Sequence, residues 1–251
     1  MAPTIHLIRH AQGYHNLSVE NEFSIIDPDL TPLGEEQCAQ LRASFSDHPK
    51  LAKLVASPLR RAIRTCDLAF GCSANLYPII LVDSLQELAD AACDIGSSKA
   101  TLKTEFGTKI EADRVADTWT DKGNGSIFEP TTEALAARAK RARKALQEIA
   151  GDGDDHIAVV SHGGFLHFLT DDWDGIPLDR NTLTTAWFNC EYRSYHITTS
   201  PVEVDDVRLV ETAESWLRRH PASKTRLSSA EQMEIREFVQ TRFVPLLKTK
   251  A

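Results

Sequence analysis

Cysteine is scarce in this 251-residue chain, and the five present do not form pairs. Cys38, Cys66, Cys72, Cys93 and Cys190 are odd in number, and no two stand at C-x-x-C spacing. That excludes a disulfide framework and a zinc ribbon. A reducing, intracellular setting is expected, cytoplasmic with the nucleus also open. No run approaches eighteen consecutive apolar residues, so no transmembrane helix and no membrane partner are expected. Residues 1–10 lack a basic stretch followed by an apolar region and a cleavage site, so no secretory signal is expected. Positive charge is also short: 28 Lys and Arg stand against 36 Asp and Glu, for a net charge of -8. Such a chain is a poor partner for nucleic acid or anionic lipid, and an anionic ligand would need a local basic pocket. Repeats and biased tracts are absent. The remaining composition, 42% hydrophobic and 25% charged, is that of a globular protein able to bury one large core.

Segments of strand and helix character alternate through the first half. Residues 4–8, 51–56, 76–82 and 157–160 are short apolar runs with strand character. Thr31 before Pro32, with Glu35 and Glu36 in the first turn, starts a helix to about Phe45, with Leu33, Cys38 and Leu41 as its apolar stripe. Ser57 and Pro58 repeat the cap-plus-proline start for a helix to about Phe70. Residues 132–150 read as an amphipathic helix carrying Leu135, Ala139, Ala142, Leu146 and Ile149 at helical spacing. Another helix follows Gly163 and Gly164, and residues 187–189 and 192–198 read as β-rich runs. The pattern predicts an α/β fold, a three-layer α/β/α sandwich with a mostly parallel central sheet. The whole of 1–251 is expected to be one domain. Residues 84–130 break the rhythm and are expected as an inserted segment over the active face. Residues 204–251 are expected as a C-terminal helical appendage, with Ser228 capping a helix to Leu247.

In open α/β sheets ligands bind beyond the carboxyl ends of the strands. The residues just past the expected strands are Arg9 and His10, Arg60 and Arg61, Glu87, and His162 followed by Gly163 and Gly164. Two histidines, arginine and a carboxylate on one edge form a set suited to phosphoryl transfer. Guanidinium groups grip phosphate oxygens by forked hydrogen bonds, and helix N-termini add N–H donors. A neutral imidazole can attack phosphorus and split one displacement into two. A second histidine can donate to the oxygens, and a carboxylic acid can protonate the leaving group. Nearby arginines should hold the attacking histidine neutral. No acidic cluster suited to a divalent cation is apparent, and no metal or cofactor is expected.

The ordered blocks support this independently. Leu7-Ile8-Arg9-His10-Ala11-Gln12-Gly13-Tyr14-His15-Asn16 resembles the Arg-His-Gly signature of the histidine phosphatase superfamily, also called the phosphoglycerate mutase-like family. Leu30-Thr31-Pro32-Leu33-Gly34, Ser57-Pro58-Leu59-Arg60-Arg61-Ala62, Leu85-Gln86-Glu87 and Val160-Ser161-His162-Gly163-Gly164 are similar to its further blocks, in order. The resemblance implies His10 as phosphorylated nucleophile and Glu87 as proton donor, with Asp90 and Asp94 competing for that role. It implies Arg9, Arg61 and His162 as the rest of the phosphate pocket, joined by Asn16 and Gly163. Ala11 replaces the usual Gly, and the segment after Glu87 lacks the Glu-Gly pattern of glycolytic mutases.

The expected function is therefore a metal-independent phosphatase acting on a small phosphorylated metabolite. The alternatives are a phosphoglycerate mutase-type phosphotransferase, or a catalytically weak sensor of a phosphorylated ligand. Other residues have plainer readings. Arg60 and Arg64 are expected as solvated helix charges, His6 as a core or sheet-face residue and His167 as structural. Asp171-Asp172-Trp173-Asp174 is expected as a solvated turn, and the face from Arg138 to Lys144 as ordinary helix surface. Tyr14 and His15 are expected either at the pocket mouth or on a surface loop.

Overall fold

The run TIHLIR has β-branched or aliphatic residues at most positions and forms the strand Thr4–Arg9 (β1), buried along almost its whole length. Burial on both faces is what an interior parallel strand requires. The computed structural model describes residues 3–17, 22–177, 185–199, 207–220 and 225–249. In it β1 joins Leu51–Ala56 (β2), Ile79–Val82 (β3), Ile110–Arg114 (β4), His156–Ser161 (β5), Tyr192–Thr199 (β6) and Val207–Glu211 (β7) in a seven-stranded sheet. The order is β4-β3-β2-β5-β1-β6-β7. The first five strands are parallel; β6 runs antiparallel to both β1 and β7.

Helices cover both faces. Pro32–Ser44 (α1), Arg60–Phe70 (α2) and Lys99–Phe106 (α3) pack on one side, against Ile8, Leu54, Ala56, Ala158 and Val160 of the strands. Thr132–Ala150 (α4) and Gly163–Thr170 (α5) pack on the other, against Ile5, Leu7, Val55, Ile157 and Val159. Ala213–Arg219 (α6) follows β7, and Ser229–Arg242 (α7) joins the second core through Ile235 and Val239. The three-layer α/β architecture is the one expected. Among the described residues no helix is long and apolar enough to cross a membrane.

Local signals account for the boundaries that match. β2 spans the six residues expected, and α4 starts where the Thr131 hydroxyl accepts from the Ala134 amide at 3.3 Å. Thr31 caps α1 by accepting from Gly34 at 3.0 Å. Other expectations are corrected. Leu33 is exposed, and Gly34 occupies the buried face of α1 with Cys38 and Leu41. Leu76 lies in a short 3-10 turn ahead of β3. Trp187, Phe188 and Asn189 form no strand: the Phe188 carbonyl accepts from the Glu191 amide at 3.0 Å in a turn, and the Phe188 amide donates to Glu191 Oε2 at 2.8 Å. Residues 84–130 carry α3 and the edge strand β4. The segment from 204 is not wholly helical: Val207 and Leu209 are buried at alternate positions of β7, which pairs with β6.

The loop after β1 is held against α1. The carbonyl of Gln12 accepts from the Thr31 amide at 3.0 Å, and a Cβ added at Gly34 would meet that oxygen at 2.2 Å. Gly34→Ala should therefore cost about 1–3 kcal/mol, the usual penalty for overpacking. It should also lower activity, since Gln12 lies two residues past His10. Thermal melting and turnover measured together check this; an unchanged melting temperature would contradict it.

Candidate active site

The carboxyl ends of β3, β2, β5 and β1 lie side by side, and each delivers polar residues to one pocket of about 640 Å³. Arg9, His10, Asn16, Arg61, Glu87 and Asp94 all line it. His162 lies behind them, fully buried, its ring 5.0 Å from that of His10.

His10 follows β1 directly and is buried. Its Nδ1 is 2.7 Å from the carbonyl oxygen of Ala11. A carbonyl only accepts, so Nδ1 carries the proton and Nε2 keeps its lone pair. The Nε2 atom takes one long hydrogen bond, 3.4 Å, from the Arg61 Nε–H. Burial, then the charges of Arg61 and Arg9 with His15 between them in strength, hold His10 well below the usual histidine range. The ring is therefore neutral, with Nε2 unprotonated. The Ala11 amide donates to Thr65 Oγ1 at 3.0 Å and Asn189 Nδ2 donates to the His10 carbonyl at 2.8 Å, fixing the backbone on both sides.

Arg61, in the first turn of α2, is fully buried. It donates to the Cys93 carbonyl at 2.7 Å and to Asp94 Oδ1 at 2.9 Å, which orients its remaining N–H groups. Arg9 donates to the Trp187 carbonyl and keeps a buried Nε without a partner. His162 Nε2 meets Ser57 Oγ at 2.8 Å, while its Nδ1 is buried without a partner. Burial and Arg61 hold His162 neutral as well.

Glu87 follows β3 after a short 3-10 turn, Asp83–Leu85. Its Oε1 accepts from the Leu88 and Phe165 amides at 3.0 Å each, and Oε2 accepts from Gly164 at 3.3 Å. Burial, followed by the charge of Asp94, raises its pKa, and Arg61 only partly opposes them. Asp90 points elsewhere: its Oδ1 accepts from the Thr249 amide and hydroxyl at 2.6 and 2.7 Å. Asp94 is engaged by Arg61.

Two helix N-termini approach the pocket, and carboxylates already occupy both. Glu87 takes the Gly164 and Phe165 amides of α5, and Asp27 Oδ1 takes the Arg60 amide of α2 at 2.9 Å. Ser57 therefore does not cap α2; it serves His162 instead. Gly163 must lack a side chain, because a Cβ there would meet Thr185 Oγ1 at 2.4 Å.

Other residues at the site are not singled out for it by the sequence, or stand between two readings, as His15 does. Lys122 is buried and donates to the carbonyls of Glu87 and Ala89 at 2.9 and 2.7 Å; burial pulls its pKa down to about 7. Arg138, expected on a helix surface, is buried over the Phe165 ring and donates to the Glu87 carbonyl at 3.3 Å. His15 is buried 5.4 Å from His10, ring to ring, and burial brings its pKa down to about 2. Arg60 and Arg64 are half-exposed and pair with Glu105 and Asp29, away from the pocket. His6 is buried in β1 and His167 in α5. The acidic loop is not a solvated turn: Asp174 is buried and meets His220 at 3.3 Å, and Asp172 accepts from Gln232 at 2.9 Å.

Neutral histidines and buried arginines beside a carboxyl whose pKa burial raises, all at the carboxyl edge of a parallel sheet, define a class, α/β proteins with a histidine-centred polar site. The chain belongs to the histidine phosphatase superfamily (branch 1), whose family model matches residues 5–227. It is 30% identical over 234 residues to a phosphoglycerate mutase-like protein of Arabidopsis thaliana, covering 76% of this chain and 83% of that one. It is 36% identical over 256 residues to phosphoglycerate mutase-like protein 2 of the same plant, covering 76% and 73%. The fold is also that of YhfR from Bacillus stearothermophilus, with a TM-score of 0.54, 19% identity, and 85% of this chain and 97% of that chain covered.

Proposed function

We propose that the protein is a phosphatase that hydrolyses a small phosphorylated metabolite through a phosphohistidine on His10. The observation that carries this is the His10 tautomer. Its Nδ1 proton is spent on Ala11, so the lone pair of Nε2 faces the Arg61 guanidinium, and Arg9 lines the same pocket, where the two would hold a phosphoryl group. In the first step Nε2 bonds to phosphorus as the ester P–O bond breaks, and the Glu87 carboxyl gives its proton to the departing alkoxide. In the second step Glu87, now a carboxylate, takes a proton from water as the water oxygen bonds to phosphorus and the P–N bond breaks. Arg9, Arg61, the free Nδ1 side of His162, Asn16 and the Gly163 amide would hold the equatorial oxygens. No step calls on a metal or a cofactor.

A mutase needs a second anchor for the charged group at the other end of its substrate. Among the described lining residues the only lysine or arginine side chains are Arg9 and Arg61, both at the phosphate end. That favours water as acceptor. The test is turnover of p-nitrophenyl phosphate in EDTA, with acid-labile, alkali-stable phosphate recovered on the protein after a rapid quench. Turnover only with a bisphosphate primer would indicate a mutase, and phosphate binding without turnover would indicate a sensor.

Glu87→Gln separates the acids. It should slow hydrolysis of an alkyl phosphate by about 10²–10⁴ and that of p-nitrophenyl phosphate by less than about tenfold, because an acidic phenol leaves without a proton. Equal losses on both substrates would move the role to Asp94.

A further inference from the structure

The pocket extends well beyond the phosphate end, and its far wall is of a different chemistry. Phe23, Leu88, Phe168, Val239, Phe243 and Leu246 line it, four of them from α5 and the C-terminal segment. Among the described lining residues, the charged side chains other than the two arginines are Glu87 and Asp94, both acidic. A substrate with a carboxylate or a second phosphate beyond its ester would set that charge against apolar carbon and two acids.

The wall is pinned in place. Trp173 donates its amide to Gln232 Oε1 at 2.8 Å, and Gln232 Nε2 donates to Asp172 at 2.9 Å, docking α7 on the loop after α5. Arg236 pairs with Asp171 at 3.1 Å. At the end of the chain, the Asp90 amide donates to the Leu247 carbonyl at 3.2 Å and the Asp90 carboxylate takes both Thr249 donors. Lys248 also pairs with Glu129. The C-terminal segment is thus tied to the turn that carries Glu87. A preformed apolar wall of this kind loses little entropy on binding.

We propose that this wall is a subsite for an uncharged, apolar alcohol group, so that the substrate is a phosphomonoester of an aliphatic or aromatic alcohol. The proposal deepens the phosphatase reading and rests on it. Asp90 then has a definite task, anchoring the segment that selects the substrate.

The test is calorimetric binding to full-length His10→Ala protein, which holds ligands without turning them over. The ligands are inorganic phosphate, glycerol 3-phosphate, 3-phosphoglycerate and hexyl phosphate. Each buried methylene should tighten binding about fourfold, so hexyl phosphate should bind at least about tenfold more tightly than glycerol 3-phosphate. Phe23→Ser with Leu246→Ser, both at exposed positions, should remove at least about fivefold of that gain and leave inorganic phosphate binding unchanged. Equal affinities, or tighter binding of 3-phosphoglycerate, would overturn the apolar subsite while leaving the phosphate site standing. Failure to bind even inorganic phosphate would overturn the phosphatase reading and the subsite with it.

Discussion

His10→Ala should lower turnover of p-nitrophenyl phosphate by at least about four orders of magnitude, the loss expected if His10 is the covalent nucleophile proposed. The fold should survive. His10 makes one side-chain hydrogen bond of normal length, to Ala11, and removing such a bond costs about 1 kcal/mol. Arg61 keeps its contacts to Cys93 and Asp94, so the pocket walls stay in place. The variant should therefore melt within a few degrees of the parent and still bind phosphate. No phosphoryl group should be recovered on it after a rapid quench, whereas the parent should carry one. His162→Ala offers the contrast: it removes a donor to the phosphoryl oxygens and should cost about 10²–10³, with the phosphoenzyme still detectable. Retention of more than about 1% of activity in His10→Ala, or phosphate trapped on another residue, would contradict the mechanism.

The polar edge of the sheet was legible because strand ends announce themselves. An apolar run followed by Arg9 and His10, or by His162 and two glycines, marks both an element and its exposed tip. The helix at 132–150 was legible for a similar reason, since Thr131 caps it and its buried residues recur at helical spacing. What stayed hidden depends on tertiary neighbours. β4 reads IEADR, with three charged residues, and only its edge position in the sheet makes such a strand tolerable. Asp27 caps α2 from 33 residues away, so the local Ser57-Pro58 signal named the wrong cap. Lys122 and Arg138 are buried cations, and sequence position gives no sign that the carbonyl of Glu87 will take both. The C-terminal segment has a capping box at Ser228 and Glu231 that marks the helix. Nothing local says that Val239, Phe243 and Leu246 will close the far side of the pocket.

Acid should unfold this protein early, and the histidines are the cause. His6 is brought down to about 3 and His15 to about 2, chiefly by burial, and His10 and His162 lie well below the usual range for the same reason. In the unfolded chain each titrates near 6.5. Folding then binds fewer protons than unfolding wherever the pH lies between those values, so stability falls as the pH drops below about 6.5. Each such histidine contributes about 1.4 kcal/mol per pH unit. Glu87 and Asp27 act in the opposite sense, because burial raises both and the folded state holds their protons more tightly. They offset part of the loss only near and below the ordinary carboxylate range. The net slope above the carboxylate range should be about 5 kcal/mol per pH unit, enough to exhaust a stability of about 5–15 kcal/mol within about one to three units. Cooperative loss of the far-UV signal is therefore expected near pH 5, in weak buffer without phosphate. A phosphate dianion between Arg9, Arg61 and the two histidines favours their protonated forms and binds only the folded chain, so it should move the midpoint to lower pH. Stability that stays level from pH 7 to pH 5 would show that the buried rings accept protons without cost, and the neutral nucleophile at His10 would lose its physical basis.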